Sequence, residues 1–270
     1  MEPLFFCPLW GHPESEIESF CARVAEAGFD GVEIYLPVMD NEYRDRVLAL
    51  LDKHKLQWIA QNAQFYDDAE DPVKKLRRHL EWQVEAKPLK IDAHTGRDWF
   101  SDEENQRFID VAQEVSEASG IPILHEIHRS RFTFCAHGTR RWLERNPKMR
   151  LTADFSHWCT VAESLLEDQP EAVALAIERS DHIHARVGHI EGPQVNDPFA
   201  PEWKDSLDAH LGWWDAMVFN HRKNGTQLTI TPEFGPFPYL PAAPRTLEPF
   251  VEQWTLNVQM LELLKSRYGE

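Results

Sequence analysis

Short runs rich in apolar and β-branched residues alternate along the chain with longer stretches in which apolar positions recur at helical spacing. The short runs predict strands at residues 4–8, 31–36, 57–61, 89–94, 122–126, 150–154, 182–186 and 227–233. Between them the spacing predicts helices at 17–27, 42–54, 72–86, 102–119, 139–145, 170–179, 207–221 and 247–264. Ser101-Asp102-Glu103-Glu104 reads as a helix cap with acids in the first turn, and Gly28, Gly120 and Gly225 stand where helices should stop. Repeated strand and helix pairs of this kind call for parallel strands joined by helical crossovers. Eight pairs over this length predict a closed (β/α)8 barrel, a TIM barrel, as one domain spanning residues 1–270. An open doubly wound sheet is the alternative; it uses fewer regular units, and no GxGxxG follows the first strand.

Parity along the strands then sorts the residues. Positions two apart share a face, so an apolar set belongs against the helices and the other set points into the barrel. Strand two opposes Val32 and Ile34 to Glu33; strand four opposes Leu89, Ile91 and Ala93 to Asp92 and His94. Strand five places Glu126 with Leu124 and His128, and strand six sets Leu151 and Ala153 against Thr152 and Asp154. Strand seven sets Ile183 and Ala185 against His182, His184 and Arg186; strand eight sets Leu228 and Ile230 against Thr229, Thr231 and Glu233.

The C-terminal ends of strands five to eight therefore aim Glu126, Asp154, His184 and Glu233 at one cavity, on the barrel face where active sites sit. Any one of these carboxylates alone reads equally as a helix N-cap or an ion-pair partner. Together they would repel one another and lose solvation unless a cation lay among them. A divalent ion bound by all four answers this, and oxygen-rich ligation with one imidazole suits a hard or borderline ion such as Mn²⁺ or Mg²⁺, with Zn²⁺ or Co²⁺ as alternatives. Around the four, His94, Glu33, His128 and His157 are expected to line the cavity or contact a substrate, and Arg186 to donate to an anion or hydroxyl. His125 falls on the helix-facing parity and reads as a core histidine.

Composition narrows the classes. Lys and Arg total 28 against 45 Asp and Glu, a formal charge of −17 that opposes binding to a phosphate backbone, so no nucleic-acid partner is expected. No window approaches the run of about 18 apolar residues that a membrane span requires, and residues 1–10 lack the basic start of a secretory signal. Cys7, Cys21, Cys135 and Cys159 form no CxxC pair and read as free thiols, so the expected location is cytoplasmic. The 10 tryptophans, Trp203, Trp213 and Trp214 among them, fit core packing, a substrate cover or a homodimer contact. Residues 188–201 form a long loop after strand seven and are expected to act as a lid.

At these positions the sequence resembles the xylose isomerase-like superfamily of sugar isomerases and epimerases, which are TIM barrels. The resemblance runs over essentially the whole chain. It is carried by Gly28-Phe29-Asp30-Gly31-Val32-Glu33-Ile34, His94-Thr95-Gly96-Arg97-Asp98 and His125-Glu126-Ile127-His128-Arg129. It continues in Asp154-Phe155-Ser156-His157-Trp158, His182-Ile183-His184-Ala185-Arg186 and Pro232-Glu233-Phe234-Gly235. The resemblance implies that Glu126, Asp154, His184 and Glu233 bind a Mn²⁺-type ion and that His157 touches substrate. Two departures stand out. The epimerase arginine lies further beyond the strand-seven histidine than Arg186 does, and no lysine adjoins Glu126, against the two-metal hydride-shift site of xylose isomerase itself.

The expected function is a metal-dependent sugar isomerase or epimerase acting on a small keto-sugar or polyol. It would abstract a proton next to a carbonyl through a metal-stabilised enediolate, with Glu126 and Glu233 as catalytic acid and base. An inosose-type dehydratase (a lyase) using the same groups, and a non-catalytic sugar-binding barrel, are the alternatives.

Overall fold

The structure is a computed structural model describing residues 1–36, 39–63 and 70–269. Eight strands, β1 (Leu4–Pro8), β2 (Gly31–Tyr35), β3 (Gln57–Ala63), β4 (Ile91–His94), β5 (Ile123–Glu126), β6 (Leu151–Ala153), β7 (Ser180–His184) and β8 (Thr229–Thr231), pair in parallel around a closed barrel. Its seam is the pairing of Leu4 with Thr229 and of Phe5 with Ile230. Outside lie α1 (Ile17–Ala27), α2 (Asn41–His54), α3 (Pro72–Glu85), α4 (Asp102–Ser119), α5 (Ala136–Arg145), α6 (Phe155–Ala162), α7 (Pro170–Arg179), α8 (Lys204–Asn224) and α9 (Gln253–Tyr268). Among the described residues no helix is long and apolar enough to cross a membrane.

Local chemistry sets several of these boundaries. Ser101 caps α4 by accepting from the Glu104 backbone N–H while the Glu104 carboxylate accepts from the Ser101 N–H, a reciprocal capping box. Gly28, Gly120 and Gly225 end α1, α4 and α8 in the left-handed conformation, at φ 84°, 74° and 65°. Two expectations need correction. The helix after strand six begins at Phe155 because Asp154 Oδ1 accepts from the Ser156 backbone N–H, capping α6, a helix that the sequence pattern left out. The last helix begins at Gln253 rather than at 247.

Apolar side chains fill the shell between strands and helices, with Val32, Ile34, Ile91, Ala93, Ile183 and Ile230 all fully buried there. The barrel interior differs. Phe6, Ile59 and Leu124 are fully buried but stand apart from that shell. The interior is otherwise polar, with Glu33, Asp92, Thr152, His182, Thr229 and Thr231 all fully enclosed. At its lower end Lys90 reaches across the barrel floor from the start of β4 and donates to the Asp181 carbonyl on β7 at 2.7 Å.

Gly31 opens β2 on the inward face beside Phe6, and a Cβ there would lie 2.3 Å from the Gln57 carbonyl oxygen and 2.5 Å from Phe6 Cε1. Backbone on one side leaves no room to yield. Gly31→Ala is therefore expected to destabilise the fold by about 1–3 kcal/mol, the usual cost of overpacking. Urea unfolding of the full chain checks this, and a midpoint equal to that of the wild type would show that the strand has room to shift.

Candidate metal and substrate site

Four side chains on the C-terminal side of the barrel come together. Glu126 ends β5, Asp154 follows β6, His184 ends β7 and Glu233 lies two residues beyond β8. Each offers one donor atom, and the four atoms lie within 4.8 Å of one another. All four residues are buried. His184 Nδ1 is 2.9 Å from Glu233 Oε2 and 3.6 Å from Glu126 Oε1, yet makes no well-directed hydrogen bond to either. Asp154 divides its work: Oδ1 takes the Ser156 N–H and hydroxyl, while Oδ2 faces the guanidinium of Arg186.

Enclosure makes these groups act on one another. Burial favours neutral carboxyls, but the neighbouring imidazoles of His94 and His184 outweigh it at Glu126 and hold that group well below the usual carboxylate range. At Asp154 burial wins against the pull of Arg186, aided by repulsion from Glu233, and the carboxyl is pushed up to about 6. Burial lowers His184, but Glu233, Glu33 and Glu126 overcome it and raise the imidazole well above its ordinary value. The set attracts positive charge, and an unpartnered buried ring nitrogen flanked by carboxylate oxygens fits a bound divalent cation.

A cavity of about 360 Å³ opens above the four, lined at its inner end by Glu126, Glu233, His94, His128 and Arg186. His94 Nε2 contacts Glu126 Oε2, and its ring lies 4.7 Å from that of His128. Burial, then the neighbouring His94, lowers His128 to about 3, so it stays neutral. Arg186 contacts Asp154, reaches His157 Nε2 at 2.9 Å and Glu233 Oε2 at 3.6 Å, and lies 4.8 Å from the ring centre of Tyr239.

Three expectations change. Glu33 does not reach the cavity: it is fully enclosed one level below, where its oxygens sit 3.1 Å from the Nε2 atoms of His182 and His184. His157 does not line it either, because the α6 turn that begins at the Asp154 cap carries the ring behind Arg186, where it is fully buried. Residues 188–201 do not cover it. The Gln194 side-chain amide is tied to the Gly235 backbone at 2.8 and 3.1 Å, and the Val195 N–H donates to the Val187 carbonyl at 2.9 Å. Among the described residues, none from that segment lines the cavity.

The outer wall comes instead from residues that strand parity could not reveal. Trp10, His12 and Glu14 follow β1, and Tyr239 follows β8. Trp10 and Tyr239 meet edge to face, with ring centres 5.1 Å apart. Gln61 on β3 lines the cavity and donates to Glu233 Oε1 at 3.5 Å. The inward parity of β3 carried the one available signal for Gln61; the loop residues had none.

Comparison with known proteins places the fold. No curated protein matches the chain. Among solved structures, 3-keto-D-glucoside 4-epimerase from E. coli superposes with a TM-score of 0.67 at 16% identity, over 98% of this chain and 100% of that one. D-allulose 3-epimerase from Methylomonas sp., in complex with D-allulose, gives 0.63 at 16% identity, over 99% and 98%. A probable 3-DHS dehydratase from Bacillus anthracis gives 0.59 at 14%, over 98% and 99%. At these identities the likeness concerns the fold. The family model described as xylose isomerase-like TIM barrel matches residues 21–218, well over half of the sequence, and the chain belongs to that family.

Proposed function

We propose that the protein is a divalent-metal-dependent sugar epimerase or isomerase that acts on a small keto-sugar or polyol by moving a proton next to a carbonyl. One observation carries this reading: Glu126, Asp154, His184 and Glu233 present donor atoms within 4.8 Å of one another, and two of them, Glu126 and Glu233, line the cavity above. These four residues would hold the ion, with Mn²⁺ as the first choice for three carboxylates and one imidazole. When bound, the ion polarises a carbonyl and offsets the negative charge that develops as a neighbouring proton leaves.

The side chains supply the rest. Glu126 ends β5 and Glu233 follows β8, a strand that is not its neighbour, so a sugar in the cavity meets the two carboxylates from different sides. Each has a second oxygen besides the one offered to the group, and that oxygen can take or return a proton. Gln61 reaches Glu233 Oε1 at 3.5 Å, and His94 Nε2 contacts Glu126 Oε2. Arg186, His94 and His128 are placed to bind substrate hydroxyls, and the Trp10 and Tyr239 rings suit the apolar face of a sugar ring. The similar epimerases favour proton transfer with inversion; the similar dehydratase keeps loss of a β-hydroxyl as a second outcome of the same first step. The four cysteines are free and buried, in keeping with a reducing cytoplasmic setting.

Two measurements test this. The dialysed chain is expected to bind one equivalent of Mn²⁺, and Asp154→Ala, which removes a donor oxygen, to weaken that binding strongly in calorimetry. A wild-type chain that takes up no divalent ion would remove the metal-dependent reading. With keto-sugars in D₂O the loaded enzyme is expected to incorporate solvent deuterium next to the carbonyl. Glu233→Gln and Glu126→Gln should each keep the fold and lower that exchange by a factor on the order of 10² to 10⁴. Full exchange in either variant would strip that residue of its catalytic role, and loss confined to one of the two would point to elimination rather than inversion.

A further inference from the structure

Beneath the site lies an enclosed cluster that proton transfer does not use. Glu33, on the inward face of β2, spans the barrel to β7 and sits between His182 and His184, all three enclosed. Glu33 Oε2 lies 3.1 Å from His182 Nε2 and Oε1 lies 3.1 Å from His184 Nε2. His182 is itself pinned, because its Nδ1 lies 2.7 Å from Thr229 Oγ1 and 3.0 Å from the Thr229 carbonyl oxygen. The two rings stand nearly perpendicular, at 86°, with centres 5.1 Å apart.

An imidazole that binds a cation must do so through a bare nitrogen, so its proton has to reside on the other one. In His184 the bare nitrogen must be Nδ1, which faces Glu126 and Glu233, and the proton must be on Nε2. An acceptor-only carboxylate at 3.1 Å from Nε2 enforces that choice and fixes the ring's rotation. The other carboxylate nearby, Asp92, has its Oδ2 3.7 Å from Nε2, too far to take the bond.

We propose that Glu33 is the positioning residue of this site: braced by His182, it fixes the tautomer and orientation of His184 so that Nδ1 is presented to the divalent ion. This rests on the metal-dependent reading above. It gives Glu33 a role without substrate contact, and it accounts for the His-x-His pair, in which His184 holds the ion and His182 holds Glu33.

The test uses the full chain. Glu33→Gln keeps the shape but turns an N–H₂ toward one of the two imidazoles, which then has to accept instead of donate. Its dissociation constant for Mn²⁺, measured by calorimetry, is expected to rise by roughly 10- to 100-fold, the usual effect of removing such an outer partner. The thermal unfolding midpoint reports whether the fold survives. The second measurement needs no variant: in the wild-type protein loaded with diamagnetic Zn²⁺, ¹⁵N-edited spectra are expected to show the His184 proton on Nε2 and the ion on Nδ1. A ring bound through Nε2, or a folded Glu33→Gln that binds Mn²⁺ as tightly as the wild type, would overturn the proposal and leave the metal site standing. A wild-type chain that binds no Mn²⁺ would overturn both. If Glu33→Gln fails to fold, the wild-type spectrum decides alone.

Discussion

The interior of this barrel holds Glu33, Glu126, Asp154 and Glu233 away from water, and the rest of the site follows from how their negative charge is met. Each ionised carboxylate gives up solvation that only nearby positive charge or hydrogen bonding replaces. Among the described residues Arg186 stands beside Asp154, and Lys90, its amine lowered by burial to about 8, lies at the floor. His184 stands between the upper and lower acids, with Nε2 on Glu33 and Nδ1 between Glu126 and Glu233. That location explains why its imidazole is raised despite complete burial, and why a divalent ion would find its donors already gathered.

Much of this was legible because strand parity is strict. In a parallel barrel a residue's face is fixed two positions at a time, so a polar residue at alternating positions among β-branched ones has one place to go. Glu126, Asp154, His184 and Glu233 could be assigned to one cluster without knowing any loop. Even Arg186, which lies beyond the end of β7, kept its predicted side because the alternation continues: the Ala185 N–H still donates to the Thr231 carbonyl at 2.7 Å. Parity fixes the face and says little of depth. Glu33 points inward as expected, but β2 places it one level below the cavity, beneath His184 instead of beside it.

What the pattern could not carry lies where the chain leaves the strands. Trp10 and Tyr239 belong to segments without a period, and they meet only because β1 and β8 are neighbours across the seam. Asp154 misled in another way. A carboxylate at a strand end was read as either a cap or a ligand, whereas its two oxygens do different things, one capping α6 and the other facing the site. The helix that this cap begins then swings His157 behind Arg186. The length of the loop at 188–201 suits a lid but says nothing of what ties it down, and the Gln194 amide holds it to the Gly235 backbone.

The same reasoning accounts for a polar interior that would otherwise be costly. A barrel filled with aliphatic layers is the simpler packing, and here Phe6, Ile59 and Leu124 are its remnants. Outside, the strand-helix shell buries most of the apolar side chains and carries most of the hydrophobic stabilisation. That leaves the middle of the barrel available for holding charged groups still. Asp92 shows the limit of the arrangement: both its oxygens are buried without partners, and burial together with the nearby Glu126 keeps its carboxyl well above the ordinary range. Asp92 Oδ2, 3.7 Å from His184 Nε2, does not compete with Glu33 for that nitrogen. The orientation of the one imidazole among the four donors is thereby left to a single carboxylate.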